Sequence, residues 1–138
     1  MAADQAAVPA AHSLGSVVAY EALHQRPDLR VGTFLTLGSP LGMPGTVFEA
    51  LDPEPVAGRG VRPPGVQRWV NVADVGDLIA VPVELGGRFD VDRHEPVRIA
   101  FADFHTFGGY LSSATVARII RDRCAGGSGG GRGGPDPA

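Results

Sequence analysis

Apolar positions fall in short blocks separated by polar turns, and the blocks alternate between helical and extended patterns. Residues 14–26 are largely apolar and helical in character, and the helix should end before Pro27, because a proline disfavours helical geometry in the residue that precedes it. Residues 31–37 and 67–73 are short apolar runs that predict buried strands. A third strand is predicted over residues 96–101, and its proline start favours an edge position.

The remaining segments complete an alternating pattern of strands and helices. A short helix is predicted at residues 45–51, and the proline- and glycine-rich segment 52–65 indicates an irregular surface loop. Residues 114–123 predict a last helix that either Ser112 or Ser113 could cap. The order predicts an α/β fold with a short, mostly parallel sheet that carries helices on both faces.

A serine stands at the start of the first predicted helix. The segment reads Ala11-His12-Ser13-Leu14-Gly15, with a small residue two positions before the serine and a glycine two positions after it. Small residues at these two positions are expected of a tight strand-to-helix turn, because larger side chains would crowd the bent backbone. Such a turn exposes the Oγ and directs the first backbone N–H groups of the helix toward the space beside it.

This turn resembles that of the α/β-hydrolase superfamily, and specifically its serine esterases and lipases, which often read small-His-Ser-x-Gly. The resemblance covers roughly residues 10–121. A Gly-Ser-Pro-Leu-Gly turn follows the strand at 31–37, acids follow the strand at 67–73, and a histidine loop at 103–111 precedes the last helix. The order serine, acid, histidine is the order that the triad of that fold requires.

The resemblance implies a role for each residue of a Ser-His-Asp triad. Ser13 would be the nucleophile, His105 its base, and the N–H of Leu14 a donor of the oxyanion hole. Asp77 is favoured as the acid, because Asp-Leu-Ile-Ala resembles the Asp-x-Val-Pro sequence that follows the acid in many lipases, and Asp74 is the alternative. Either aspartate could instead bond its own backbone in a turn.

Other residues compete for these roles. His94 lies in a polar segment expected to be a loop and is the rival base, but the aromatic, glycine-rich setting of His105 favours the latter. His12 is expected to point away from the serine side chain and to pack beside it, and His24 to lie on the surface of the helix. Ser39 follows a strand with no helix entering at once, which indicates a structural turn.

The chain resembles the C-terminal half of a hydrolase domain, because the family places several strands and the second oxyanion donor before the serine turn. The expected organisation is a short disordered segment at 1–9, the half domain at 10–124 and a disordered glycine-rich tail at 125–138. Pro9 would remove a hydrogen-bond donor from a central strand. Without the strands that the family places before the serine turn, the sheet edge at residues 10–12 could need a partner chain to cover it.

Composition narrows the function classes. The chain has 138 residues, of which 43% are hydrophobic, and a net charge of −3 gives no electrostatic reason to expect nucleic acid. A single cysteine, Cys124, excludes an internal disulfide, and the four histidines lack metal-ligand spacing, so no metal or cofactor is expected. No apolar run approaches the roughly 18 residues of a membrane span and no secretory signal is evident, which predicts a cytoplasmic protein.

The resemblance, with the triad residues that carry it, implies a serine hydrolase that cleaves a carboxylic ester, thioester or lipid-like acyl substrate through an acyl-enzyme. The alternative is a truncated, weak or inactive half domain that needs a partner or a missing N-terminal segment. Loss of one oxyanion donor lowers turnover by about 100- to 1,000-fold, so slow catalysis is expected of the chain alone.

Overall fold

The computed structural model describes residues 8–82, 84–99 and 105–125. Four strands form one sheet in the order β1-β2-β3-β4, and every neighbouring pair is parallel. In chain order the elements are β1 (Ala10–His12), α1 (Leu14–Gln25), β2 (Phe34–Leu37), β3 (Trp69–Asp74), β4 (Arg93–Val97), α2 (Phe107–Ser112) and α3 (Ala114–Ala125), with single 3-10 turns at Phe48–Ala50 and Leu85–Gly87. The fold class is therefore α/β, as the alternating pattern predicts.

Strands β2 and β3 are buried along their whole length and separate two apolar cores. Successive side chains of a strand point to opposite faces, so Phe34 and Trp69 join one core and their neighbours Leu35 and Val70 join the other. Side chains of α1 pack against the first core, and those of α2 and α3 belong to the second. The sheet thus lies between helices on both faces.

Most predicted elements are found with shifted ends. The helix expected at 14–26 spans Leu14–Gln25, and the one expected at 114–123 continues to Ala125. The helix expected at 45–51 is only a 3-10 turn. In addition, no described helix is long and apolar enough to cross a membrane.

The third predicted strand lies earlier than expected. β4 spans residues 93–97 instead of 96–101, so the prediction of its start is wrong. Pro96 lies inside the strand, which is tolerated because β4 is an edge of the sheet and a missing N–H there need not break a ladder bond. Residues 100–104, which include the end of the predicted strand, lie outside the described residues.

Backbone bonds extend beyond the predicted limits of the folded segment. The carbonyl of Pro9 accepts the N–H of Leu35 at 3.0 Å, so this proline is bonded to β2 although it was assigned to the disordered segment 1–9. Its missing N–H does not prevent the pairing of β1 with β2. Ala125, assigned to the tail, ends α3. The predictions of disorder for residues 1–7 and 126–138 fall outside the described residues.

Candidate active site

The candidate residues lie beyond the carboxyl ends of the strands, which meet at one edge of a parallel sheet. Ser13 directly follows β1, Asp77 lies in the loop after β3, and His105 lies between β4 and α2. Parallel pairing therefore brings Ser13 and His105 together across 92 positions of sequence.

The backbone of Ser13 is strained. Its φ of 53° and ψ of −132° place a non-glycine residue in a region that typically raises the energy by about 1–3 kcal/mol. Serine is a favoured helix cap, yet this side chain makes no cap bond. Its Oγ lies 2.9 Å from Nε2 of His105 instead. The turn thus directs the hydroxyl to the imidazole.

Two donors hold the carbonyl of Ser13 in this conformation. The backbone N–H of Ser16 donates to it at 3.0 Å and the Ser16 hydroxyl at 2.5 Å. The fully buried Oγ of Ser16 also lies 2.7 Å from Oγ of Ser39, which accepts the N–H of Leu41 at 3.2 Å. The hydroxyl of Ser39 is therefore hydrogen-bonded within the fold, and it supports the strained Ser13 indirectly, through Ser16.

The imidazole of His105 connects the serine to an acid. Its Nδ1 lies 2.7 Å from Oδ2 of Asp77, whose side chain is fully buried, while the imidazole is 25% exposed. An ionised carboxylate only accepts hydrogen bonds, so Nδ1 carries the hydrogen and Nε2 is left to accept from Ser13. Serine, histidine and aspartate form one continuous hydrogen-bonded chain.

Four donors converge on the carboxylate of Asp77. Oδ2 accepts from His105 and, at 2.6 Å, from the hydroxyl of Tyr110, while Oδ1 accepts the N–H groups of Ile79 and Ala80 at 2.9 and 3.3 Å. Burial acts to raise the pKa of Asp77, but the hydrogen bonds from Tyr110, His105 and the two amides outweigh it and lower this pKa. The acid is therefore ionised at neutral pH.

The carboxylate of the alternative acid, Asp74, binds backbone N–H groups. Its Oδ1 accepts the N–H of Gly76 at 2.7 Å, and its Oδ2 accepts the N–H of Ile99. These bonds fix the turn after β3 and tie it to the segment that follows β4. The structure thus places Asp77, and not Asp74, against the imidazole of His105.

His12 packs beside the same imidazole. Its ring centroid lies 5.1 Å from that of His105 and 5.6 Å from that of Tyr110. Burial and the neighbouring His105 lower the pKa of His12, which favours its neutral form. Within the described part of the chain, its buried Nε2 has no hydrogen-bond partner. The side chain therefore serves as neutral packing behind the base.

The remaining histidines lie away from the serine. His94 is in β4 and not in a loop as predicted, and its Nδ1 accepts from the amide of Asn71 at 3.0 Å. Three strand spacings, about 14 Å, separate β4 from β1, so His94 does not reach Ser13. His24 is half-buried, and its Nε2 donates to the carbonyl of Val61 at 2.9 Å.

Leu14 is the first residue of α1, and the first N–H groups of a helix have no acceptor within it. Its N–H is thus a donor next to the nucleophile. Three exposed apolar side chains lie within two residues of the triad in the sequence: Leu14 is 64% exposed, Leu78 is 76% and Phe107 is 46%. No group of three or more His, Cys, Asp or Glu side chains in the described ranges could hold a metal ion.

Two contributors to this site carried no assigned role in the sequence. Tyr110 reaches Asp77 across 33 positions, a contact that no local pattern reveals. Ser16 looks like an ordinary helical serine and is recognisable only from its bond back to Ser13.

Comparison of the chain with protein-family models, with curated proteins and with solved structures gave no significant match. The arrangement of Ser13, His105 and Asp77 is therefore the basis for assigning a function.

Proposed function

We propose that the protein is a serine hydrolase of the α/β-hydrolase type, acting on a carboxylic ester, thioester or lipid-like acyl substrate. The supporting observation is the hydrogen-bonded chain of 2.9 Å from Ser13 to His105 and 2.7 Å from His105 to Asp77, built on a strained serine backbone. Strain of this kind persists only where surrounding bonds hold it, and it clusters at functional sites.

The proposed reaction begins with attack of the Ser13 Oγ on the acyl carbon. Nε2 of His105 takes the hydroxyl proton as the bond to carbon forms, and Asp77 stabilises the imidazolium. The N–H of Leu14 donates to the oxyanion of the tetrahedral intermediate. The imidazolium then returns its proton to the leaving group, and an acyl-enzyme remains.

A water molecule completes the proposed cycle. His105 takes a proton from the water as it attacks the acyl carbon, and then gives that proton to Oγ of Ser13 when the carboxylic acid leaves. No cofactor enters either half of the reaction.

The topology is compatible with the α/β-hydrolase assignment. The serine follows one strand of a parallel sheet, the acid follows the second strand beyond it, and the histidine follows the next. This is the chain order Ser, Asp, His of that fold. Because a fold does not fix a function, the assignment depends on the side-chain geometry more than on the sheet.

The surroundings of the triad support an apolar acyl group. Leu14, Leu78 and Phe107 each lie within two residues of a triad member and are strongly exposed. Apolar side chains exposed beside a reactive serine favour binding of an apolar group. Activity should therefore rise with acyl chain length across a series of p-nitrophenyl esters.

A fluorophosphonate probe tests the proposal directly, since it phosphonylates an activated serine. Labelling of the wild-type chain should be lost in Ser13→Ala and should persist in Ser39→Ala, at a rate lowered only by the loss of indirect support for the turn. The Ser39 variant is the matched control, because it removes a second serine hydroxyl close to the turn. Absence of labelling in folded wild-type protein contradicts the proposal.

A second candidate function is a half domain that another polypeptide completes. Within the described residues β1 pairs only with β2, so its other edge is free. Leu14, Val18 and Ala22 form an exposed apolar stripe along α1, at the i, i+4 spacing of one helix face. A free strand edge beside an apolar helix face favours association with a further chain. Folded wild-type protein that resists labelling supports this candidate over the first.

A further inference from the structure

Tyr110 is fully buried, and its hydroxyl lies between two aspartates. The hydroxyl donates to Oδ2 of Asp77 at 2.6 Å and accepts the backbone N–H of Asp74 at 3.0 Å. Its ring packs against Gly38, where a Cβ would lie 2.7 Å from the ring carbon Cε2. The ring is thus held in place, and the hydroxyl hydrogen is directed to the carboxylate of Asp77.

Oδ2 of Asp77 thus serves two donors, the Nδ1–H of His105 and the Tyr110 hydroxyl. A hydrogen bond to a carboxylate stabilises its charged form and makes it a weaker base. A weaker base attracts the N–H of the imidazole less strongly. The tyrosine hydroxyl and the imidazole therefore compete for the same lone-pair electrons.

We propose that Tyr110 is a positioning residue of the hydrolase site, which fixes the oxygen of Asp77 that faces His105 and limits how strongly that oxygen stabilises the imidazolium. The effect of Tyr110 on catalysis rests on the proposed function. The competition between the two hydrogen bonds is measurable without catalysis.

The titratable groups around this hydrogen-bond chain are few among the described residues. Asp77 and the ring of His12 face the imidazole of His105. Asp74 and Tyr110 lie next to the carboxylate of Asp77. Substitution of Tyr110 by phenylalanine changes none of the formal charges in this set at neutral pH.

The first variant is Tyr110→Phe, and its matched control is Tyr20→Phe. Tyr20 is also fully buried, but its hydroxyl donates to the carbonyl of Val61 at 2.6 Å, in the other core. The pH at which fluorophosphonate labelling is half-maximal should rise in Tyr110→Phe, because the carboxylate, freed from the tyrosine hydroxyl, interacts more strongly with the charged imidazole. It should stay unchanged in Tyr20→Phe.

A second variant strengthens the same bond without removing it. The chain has two tyrosines, so 3-fluorotyrosine incorporated into Tyr20→Phe labels position 110 alone. Fluorine makes the phenol more acidic and a stronger donor to Asp77. The half-maximal pH should then fall below that of Tyr20→Phe. Opposite shifts support the inference, and shifts of equal sign, or none in the fluorinated protein, overturn it.

The Nδ1–H proton resonance of His105 gives a readout that needs no probe. It should move downfield in Tyr110→Phe, where the bond to Asp77 strengthens, and upfield in the fluorinated protein. If the folded wild-type protein is not labelled, the proposed function is contradicted. The resonance alone then tests whether Tyr110 and His105 compete for Asp77. A resonance unmoved by fluorination contradicts the competition, and this holds even where Tyr110→Phe fails to fold.

Discussion

Gly38 lies against Tyr110 so closely that a Cβ on the glycine would stand 2.7 Å from Cε2 of the tyrosine ring. The same Cβ would stand 2.9 Å from Oδ2 of Asp77. The glycine has a φ of 54°, which residues with a side chain rarely adopt. The turn at the end of β2 and the acid of the proposed triad thus occupy adjoining space.

Gly38→Ala should therefore lower the stability of the fold and displace the carboxylate of Asp77. Positive φ and overpacking together should lower the free energy of unfolding by about 2–4 kcal/mol, and fluorophosphonate labelling should slow as Asp77 shifts. The control is Gly45→Ala, whose φ of 76° is also positive but whose Cβ would meet nothing within 4 Å. It should lose only about 1 kcal/mol. Equal losses in urea unfolding would show that the close approach to Tyr110 is unimportant.

Ser16→Ala should weaken the support of the nucleophile. It removes the hydroxyl that donates to the carbonyl of Ser13 in a fully buried place, so we expect a loss of about 1–3 kcal/mol of stability and about 10- to 100-fold slower labelling. Ser112→Ala is the control, because Ser112 makes the same type of bond, to the carbonyl of Gly108 at 2.7 Å, in an exposed place. Labelling rates that match in the two variants would refute a supporting role for Ser16.

Asp77→Asn should slow labelling by about 10⁴-fold, because the amide no longer holds the imidazole in the tautomer that accepts the Ser13 proton. Asp74→Asn should stay within about tenfold of wild type, since its bonds go to backbone N–H groups of Gly76 and Ile99 and one amide oxygen can still accept. Rate measurements on both variants decide between the two acids. The reverse order would reassign the acid to Asp74.

The loss of folding stability at acid pH should also depend on Asp77. Its pKa is lower in the folded chain than the ordinary value of 3.8, so its contribution is complete above that value and is lost as the pH falls through the folded pKa. Urea unfolding at neutral pH and again near pH 3 should show a smaller pH-dependent loss in Asp77→Asn than in wild type. An unchanged loss would mean that other carboxylates control acid unfolding.

Strands β2 and β3 and helices α1 and α3 were predictable because their signals are local, whereas α2 lies in the segment expected to be a histidine loop. Continuous apolar runs gave β2 and β3, and the block after Ser13 gave α1. The start of β4 was missed, because its residues Arg93–Val97 are mostly polar and lie on a sheet edge where apolar side chains are not required. Polar edge strands look like loops in a sequence.

Some residues of the site were predictable from local sequence and others were not. Ser13, Asp77 and His105 were picked out by short motifs, and the structure brings these three together. Tyr110 and Gly38 were not, since their roles come from contacts between α2, the end of β2 and the loop after β3. Such contacts exist only once the sheet has formed, and the sequence near each residue does not record them.

The site of covalent modification tests the central claim most directly. Wild-type protein treated with a fluorophosphonate, digested and fragmented in a mass spectrometer should carry one phosphonyl group on Ser13, and His105→Ala should carry almost none. A phosphonyl group on Ser16 or Ser39, or an unmodified folded protein, would contradict the proposal that Ser13 is an activated nucleophile.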